Sequence, residues 1–305
     1  MTESRFGATQ TTIHVASWIA LVLLIAPFLL GALTTSFKVG MAVPDGATTF
    51  GQSLLTYDWR KSWWGVQLEH THRLAGATLG FVMIALCFLI FLTEKRQFVR
   101  WLGMASLALV IAQGMLGIIR VEDNARWGRE WATFHGSFAQ IVLASIVFLT
   151  AVTSPWWIAG RRDVSNSANS IQRWSLMLCL LTYLQIVIGA FYRHQSTGFY
   201  IHATIGYALF LVFLFTAALV LLDPTARSRL GNVLAVAFTG VFAQIILGNA
   251  SALVYGNMPR EFVTEISNLQ AFTTAAHQLV GSVFFASTVA LALASRRMLV
   301  QENAR

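Results

Sequence analysis

Eight apolar runs, each about as long as a bilayer's hydrocarbon core is thick, divide the 305-residue chain. They fall near 15–37, 69–92, 101–119, 132–153, 172–191, 199–222, 231–253 and 272–294. A helix needs roughly 20 consecutive apolar residues to cross a membrane. Hydrocarbon offers no partner to a free backbone amide, so such runs are expected to be helical. Composition closes the soluble alternative: only 11% of residues are charged and 56% are hydrophobic, against about 25% charged in an ordinary soluble domain. The same figures exclude a disordered chain. The expected fold class is all-α integral membrane with eight transmembrane helices.

A net charge of +8 and a pI near 10.1 would suggest a nucleic-acid partner for a soluble chain. Here the basic residues are scattered through short loops and read as topology determinants, so no nucleic-acid partner is expected. Twelve of the 21 Lys and Arg fall on the side of the termini, Arg5 and Arg305 among them, and nine on the other, Arg260 included. The bias is small, but the short, acid-poor connections between runs 2 and 3 and runs 4 and 5 favour cytoplasmic termini. The longest loop, 38–68, then faces outward and ends in Trp59-Arg60-Lys61-Ser62-Trp63-Trp64, which resembles an interfacial anchor. The first apolar run is too long for a signal-peptide core, and no small-residue cleavage site follows it. Cys87 and Cys179 both sit inside apolar runs, poor places for a loop disulfide or a zinc site.

The runs repeat in pairs. Odd runs end on Pro27-Phe28-Leu29-Leu30-Gly31, Gln113-Gly114-Met115-Leu116-Gly117, Gln185-Ile186-Val187-Ile188-Gly189 and Gln244-Ile245-Ile246-Leu247-Gly248. Even runs begin with His72, His135, His202 and His277, each followed four residues later by a small residue: Gly76, Ala139, Gly206 and Gly281. The unit is a helix hairpin, repeated four times. Two hairpins make a half, and the halves share one orientation about an axis along the membrane normal. The expected architecture is two tandem, pseudo-symmetric four-helix bundles: an N-terminal half over 1–155, a cytoplasmic linker over 156–171 and a C-terminal half over 172–305. The small residues suit close helix packing. The three glutamines suit either interhelical hydrogen bonding or contact with a ligand.

Four ionisable groups at one membrane depth are costly and point to function. The pattern contains no Cys or Asp and only one Glu, whereas zinc would need three or four ligands converging on one point. Two sites of two ligands match the two halves better: His72 with His135, and His202 with His277. Facing imidazoles across a helix bundle are what a six-coordinate heme iron requires. His14, at the opposite membrane face, and His70, on another helix face, read as packing residues. His194 reads the same way, or as a contact for a heme propionate. The halves also differ. Glu69 lies three residues before His72, where the other hairpins have Ala132, Phe199 and Thr274. Arg73 follows His72, where the others have Gly136, Ala203 and Gln278. Either the two are a helix-start ion pair favoured by the dipole, or the first half carries chemistry that the second lacks.

Glu69-x-x-His72-Arg73, with His135, His202 and His277 opening later even helices, resembles the heme A synthases. So does the first outer loop, with Gly40-Met41-Ala42-Val43-Pro44-Asp45 and Thr48-Thr49-Phe50-Gly51. The resemblance implies oxidation of the C8 methyl of heme O to a formyl group, giving heme A for cytochrome oxidase. By position, His202 and His277 would ligate a heme b cofactor, and His72 and His135 would hold the substrate heme O. Glu69 would be the catalytic carboxylate and Arg73 a heme contact. Implied partners are heme O synthase, cytochrome oxidase assembly factors, membrane lipid and an electron donor such as a quinol. The implied location is the inner (plasma) membrane, with heme sites toward the outer face. Some members carry a cysteine pair in the first outer loop, and this chain has none there. On the residues alone, a diheme b-type electron-transfer protein (a quinol oxidoreductase) and a heme transporter or chaperone remain open.

Overall fold

The computed structural model describes residues 7–255 and 265–302. It contains eight helices long and apolar enough to cross a membrane: α1 (Ala8–Ser36), α2 (Trp64–Thr93), α3 (Gln97–Glu122), α4 (Asn124–Val152), α5 (Ala168–Gln195), α6 (Phe199–Leu222), α7 (Pro224–Tyr255) and α8 (Asn268–Met298). The chain is an all-α integral membrane protein. Most helices outrun the apolar segments, because hydropathy marks only the part of a helix that sits in hydrocarbon. Helix α4 begins at Asn124 rather than near 132, and its extra turns carry Arg126, Arg129 and Glu130, with an irregularity at Trp127 (φ −135°, ψ 30°). Helix α1 is interrupted at Leu24, where Ala8–Leu23 meets Ile25–Ser36. Pro27 explains the break, since its ring collides with the carbonyl four residues back and it has no N–H to donate.

Helix α1 packs on α2 and α4, α2 on α3, and α3 on α4. In the same cyclic order α5 packs on α6 and α8, α6 on α7, and α7 on α8. Between the two sets, α8 packs on α1 and α4, and α5 packs on α4. Met83, Ile90, Ile146 and Leu149 centre the first core; Leu178, Phe213, Leu230 and Leu291 centre the second. A buried amide crosses the junction, with Gln140 Nε2 donating to Ser282 Oγ at 2.9 Å. Phe88, Leu211, Leu222 and Leu253 are exposed. These are lipid-facing surfaces, where hydrocarbon is no worse a neighbour than another helix.

One end of the molecule carries the 37–63 loop and the other the 153–167 linker. The linker, expected only as a connection, is stitched down. Ser154 caps a short helix, Pro155–Ala159. Beyond it Asp163–Ser165 pairs in parallel with Leu299–Gln301, Val164 opposite Val300. Asp163 forms ion pairs with Arg229 and Arg161. Asp223, between α6 and α7, accepts from Ser165 Oγ at 2.7 Å and from the Ala226 N–H at 2.9 Å. Burial works to raise the Asp223 carboxyl, but these donors, with Ser167 and Thr225, outweigh it and hold the group below the usual aspartate range. At the loop end Trp63 and Trp64 are exposed, as an interfacial anchor requires. Arg5, Arg260 and Arg305 lie outside the described residues.

Candidate functional site

The paired motifs of the four hairpins turn out to be one contact made four times. Each histidine ring lies against the glycine that ends the preceding odd helix. A Cβ built on Gly31 would stand 2.8 Å from His72 Cε1; on Gly117, 3.3 Å from His135 Cε1; on Gly189, 2.8 Å from His202 Cε1; on Gly248, 3.0 Å from His277 Cε1. The glycines are therefore seats for imidazole rings and not only points of helix approach.

The glutamines stand on the other side of the rings. Gln113 Nε2 lies 3.2 Å from His135 Nε2, Gln185 Nε2 3.1 Å from His202 Nδ1, and Gln244 Nε2 3.2 Å from His277 Nε2. In the C-terminal half the small residue four after the histidine makes room for the amide. A Cβ on Gly206 would be 3.0 Å from Gln185 Nε2, and one on Gly281 would be 2.9 Å from Gln244 Nε2. The two helices of a hairpin thus interlock: the odd helix's glycine takes the histidine, and the even helix's glycine takes the glutamine. The first hairpin has Pro27 in place of glutamine, and its carbonyl lies beside the His72 ring.

His202 and His277 face each other, ring centroids 6.2 Å apart and planes at 87°. A metal–imidazole bond of about 2.0–2.1 Å, on each side of an iron, sets two ring centroids roughly 6 Å apart, so the spacing suits two axial ligands. The Nδ1 atoms of His72 and His277 are sealed from solvent without a hydrogen-bond partner, as are Oε1 of Gln113, Gln185 and Gln244. Orphaned buried polar atoms of this kind mark a place where a ligand belongs. Among the described residues no three or four His, Cys, Asp or Glu side chains gather as a metal site; His202 faces His277, and His72 acts electrostatically on His135. The donor set fits a porphyrin iron and does not fit a bare zinc ion.

Around His72 and His135 the setting is charged. Glu69 is buried on α2, its Oε1 accepting from Arg73 Nη2 at 2.6 Å and its Oε2 from the Val43 N–H at 3.0 Å. Arg73 Nη1 also donates to the carbonyls of Asp45 at 2.5 Å and Thr48 at 3.0 Å. The Asp45 carboxylate accepts from the Gly51 N–H at 2.7 Å and from Thr48 Oγ1 at 2.8 Å. Those two hydrogen bonds, the Gly51 one foremost, hold its carboxyl below the usual aspartate range. Gly51 sits at φ +75°, which only glycine adopts freely. The loop motif is thus a strap closed over the Glu69–Arg73 pair.

Arg120, one of the nine basic residues that the sequence places on the side away from the termini, also belongs to the site. The guanidinium interacts electrostatically with Glu69, Arg73, His72 and His135. It lies so close under the loop that a Cβ on Gly40 would stand 2.9 Å from its Nη2. That contact explains the glycine opening the loop motif. A buried arginine at a helix end carries no local pattern of its own; its place three residues after Gly117 was the only signal. The three remaining histidines lie apart from the pairs. His70 is buried under the loop, bonded to Thr49 Oγ1 at 2.9 Å and stacked on Trp59. His14 accepts from Trp18 Nε1 at 3.1 Å at the linker end. His194 lines a cavity at the loop end together with Arg120.

The site defines a class: a polytopic membrane protein with two pairs of intramembrane histidines, one of them set beside a buried Glu–Arg pair. The COX15-CtaA family model, described as cytochrome oxidase assembly protein, matches residues 17–205, a span that takes in Glu69, His72, His135 and His202. The chain belongs to this family, and its role lies in cytochrome oxidase assembly. Comparison with curated proteins gives no match.

Proposed function

We propose that the chain is a heme A synthase, oxidising the C8 methyl of heme O to a formyl group. The N-terminal half, 1–155, is the substrate half and the C-terminal half, 172–305, the cofactor half, joined by the linker 156–171. His202 and His277 hold heme b; His72 and His135 hold heme O as substrate. Bound heme b would supply one-electron redox chemistry, exchanging electrons with a carrier such as a quinol, while the methyl-to-formyl oxidation itself requires an external oxidant such as dioxygen. The chain's own residues do the rest. Glycine seats and glutamine amides fix the ring orientations, as outer partners of a metal site do. Glu69, on the His72 face of α2, presents a carboxylate that can accept a proton or stabilise positive charge developing at the methyl. Arg73 and the Val43 N–H hold that carboxylate in place.

One observation carries this reading. The two histidine pairs have the same glycine seats, but among the described residues only the first has a buried carboxylate beside it, with Arg73 and Arg120 around it, while Arg193 alone acts on the second. An electron-transfer protein needs no such difference. The orientation that follows has both termini in the cytoplasm and the heme sites toward the outer face of the plasma membrane. The test is heme extraction from membranes of a host that makes heme O, with and without the chain. Heme A appearing only with the chain supports the reading. Heme O unchanged, with the chain present and carrying heme, overturns it in favour of electron transfer or heme transport.

A further inference from the structure

At the loop end, where α3, α4 and α5 meet, lies a cavity of about 510 Å³ lined by Arg120, Asn124, Arg126, Arg129, Glu130 and His194. Its lining is basic, and its one carboxylate, Glu130, is engaged by Gln195 Nε2 at 3.4 Å. Arg120 is the exceptional member. Its Nε is sealed from solvent with no partner, and among the described residues it makes no hydrogen bond or ion pair. The acid that acts on it, Glu69, is already held on both oxygens. A guanidinium withdrawn from water without a counter-charge is strongly unfavourable. Arg73, the other full charge that Arg120 feels, has the same sign and adds to the imbalance. The balance calls for an anion from outside the chain.

The position says which anion. Ala132 also lines the cavity and precedes His135 by three residues on α4, so cavity and ring share a helix face about one turn apart. Arg120 interacts with both His72 and His135. We propose that this cavity binds the propionate carboxylates of the porphyrin held by His72 and His135, with Arg120 as the principal contact and Arg126 at the rim. Guanidinium pairs carboxylate through two parallel hydrogen bonds, which fixes direction as well as affinity. The substrate would then enter with its carboxylates toward the loop end, so that only one of its rotations about the iron places the reacting methyl beside Glu69. This inference rests on reading the first half as a porphyrin site.

The test is a titration of the full, detergent-purified chain, its C-terminal half loaded, with ferric protoheme and separately with the protoheme dimethyl ester, whose carboxylates are blocked. Wild type should bind the diacid roughly tenfold or more tighter than the diester, as expected for loss of a charged hydrogen-bonded pair. Arg120→Gln should bind the diacid about tenfold more weakly and no longer distinguish the two, while the bound heme keeps its low-spin spectrum. Arg120→Lys should recover part of the difference. Equal affinity of wild type for diacid and diester, which needs no variant to measure, overturns the proposal. So does an Arg120→Gln protein that discriminates as wild type does, or excess citrate that stabilises the chain without competing with protoheme. Discrimination without heme A in membranes would overturn the synthase reading and leave this site standing; heme A without discrimination would do the reverse.

Discussion

Glu69 has both oxygens occupied, one by Arg73 and one by the Val43 N–H, so it fastens the first loop as well as facing the first histidine pair. Its two roles separate by substitution. Glu69→Gln keeps the size and one acceptor oxygen but sets an amide N–H₂ against a donor and removes the charge that Arg73 and Arg120 face. Both hemes should remain bound with near-native spectra, while heme A yield falls about 100-fold or more, the usual scale for losing a charge-stabilising group. Chromatography of extracted heme beside wild type measures this, and normal yield would leave Glu69 as a loop tether only. Asp45 tests the strap itself. Its carboxyl is held below the ordinary aspartate value of 3.8, chiefly by the Gly51 N–H and then by Thr48 Oγ1. A depressed carboxyl contributes its stabilisation above the unfolded value and loses it as pH falls through the folded one. The protection of the Gly51 amide, its exchange rate relative to the intrinsic rate at the same pH, should therefore hold steady above pH 3.8 and fall only as the pH drops below it; a loss of protection already above that value would mean the hydrogen bond does not hold the loop.

The hairpin is the element at which sequence and structure speak most directly to each other. Gln-x-x-x-Gly on one helix and His-x-x-x-Gly on the next were visible as a repeat because each contact is local to a hairpin, and a repeated local contact leaves a repeated spacing. What the spacing could not show was the pairing, histidine onto the odd helix's glycine and glutamine onto the even helix's. The prediction at this scale uses the seats. Gly189→Ala places a Cβ 2.8 Å from His202 Cε1, whereas Gly80→Ala meets nothing within 4 Å. Overpacking of this kind costs about 1–3 kcal/mol, roughly a tenfold to hundredfold loss of heme retention if it falls on the ligated geometry. Alanine at Gly80 should be neutral or stabilising, by up to about 1 kcal/mol of helix propensity. Retained heme after washing in detergent, read optically, distinguishes them; equal retention would mean that Gly189 does not position the ring. Other elements were not legible because their partners are distant in sequence. The Asp163–Ser165 strand is specified by Leu299–Gln301, over a hundred residues away. Arg73 holds loop carbonyls nearly a helix-length earlier, and Arg120 acquires its meaning only when α2, α4 and the loop are assembled around it.

Across the whole molecule, the same hairpin serves two surroundings. In the α5–α8 set the interlock is complete on both hairpins, Gln185 with Gly206 and Gln244 with Gly281, and the rings stand 6.2 Å apart. In the α1–α4 set it is relaxed: Pro27 replaces one glutamine, Ala139 replaces one glycine, and charged side chains crowd the rings. A complete interlock suits a resident cofactor that is never released, because fixed rings lose little freedom on binding. A relaxed, charged one suits a molecule that must enter, react and leave. Removing a histidine from each set should therefore have unequal results. His202→Ala or His277→Ala should lose the tightly bound low-spin heme while the chain still inserts, and heme A should fall with it for want of the redox cofactor. His72→Ala or His135→Ala should keep that heme through purification and still yield no heme A. The measurement is a pair of readings on each variant, the optical spectrum after purification and the heme composition of the membranes. If all four variants lose the same heme to the same extent, the two sets do not divide the work, and the charged surroundings of His72 and His135 serve the structure of the loop rather than the chemistry of a substrate.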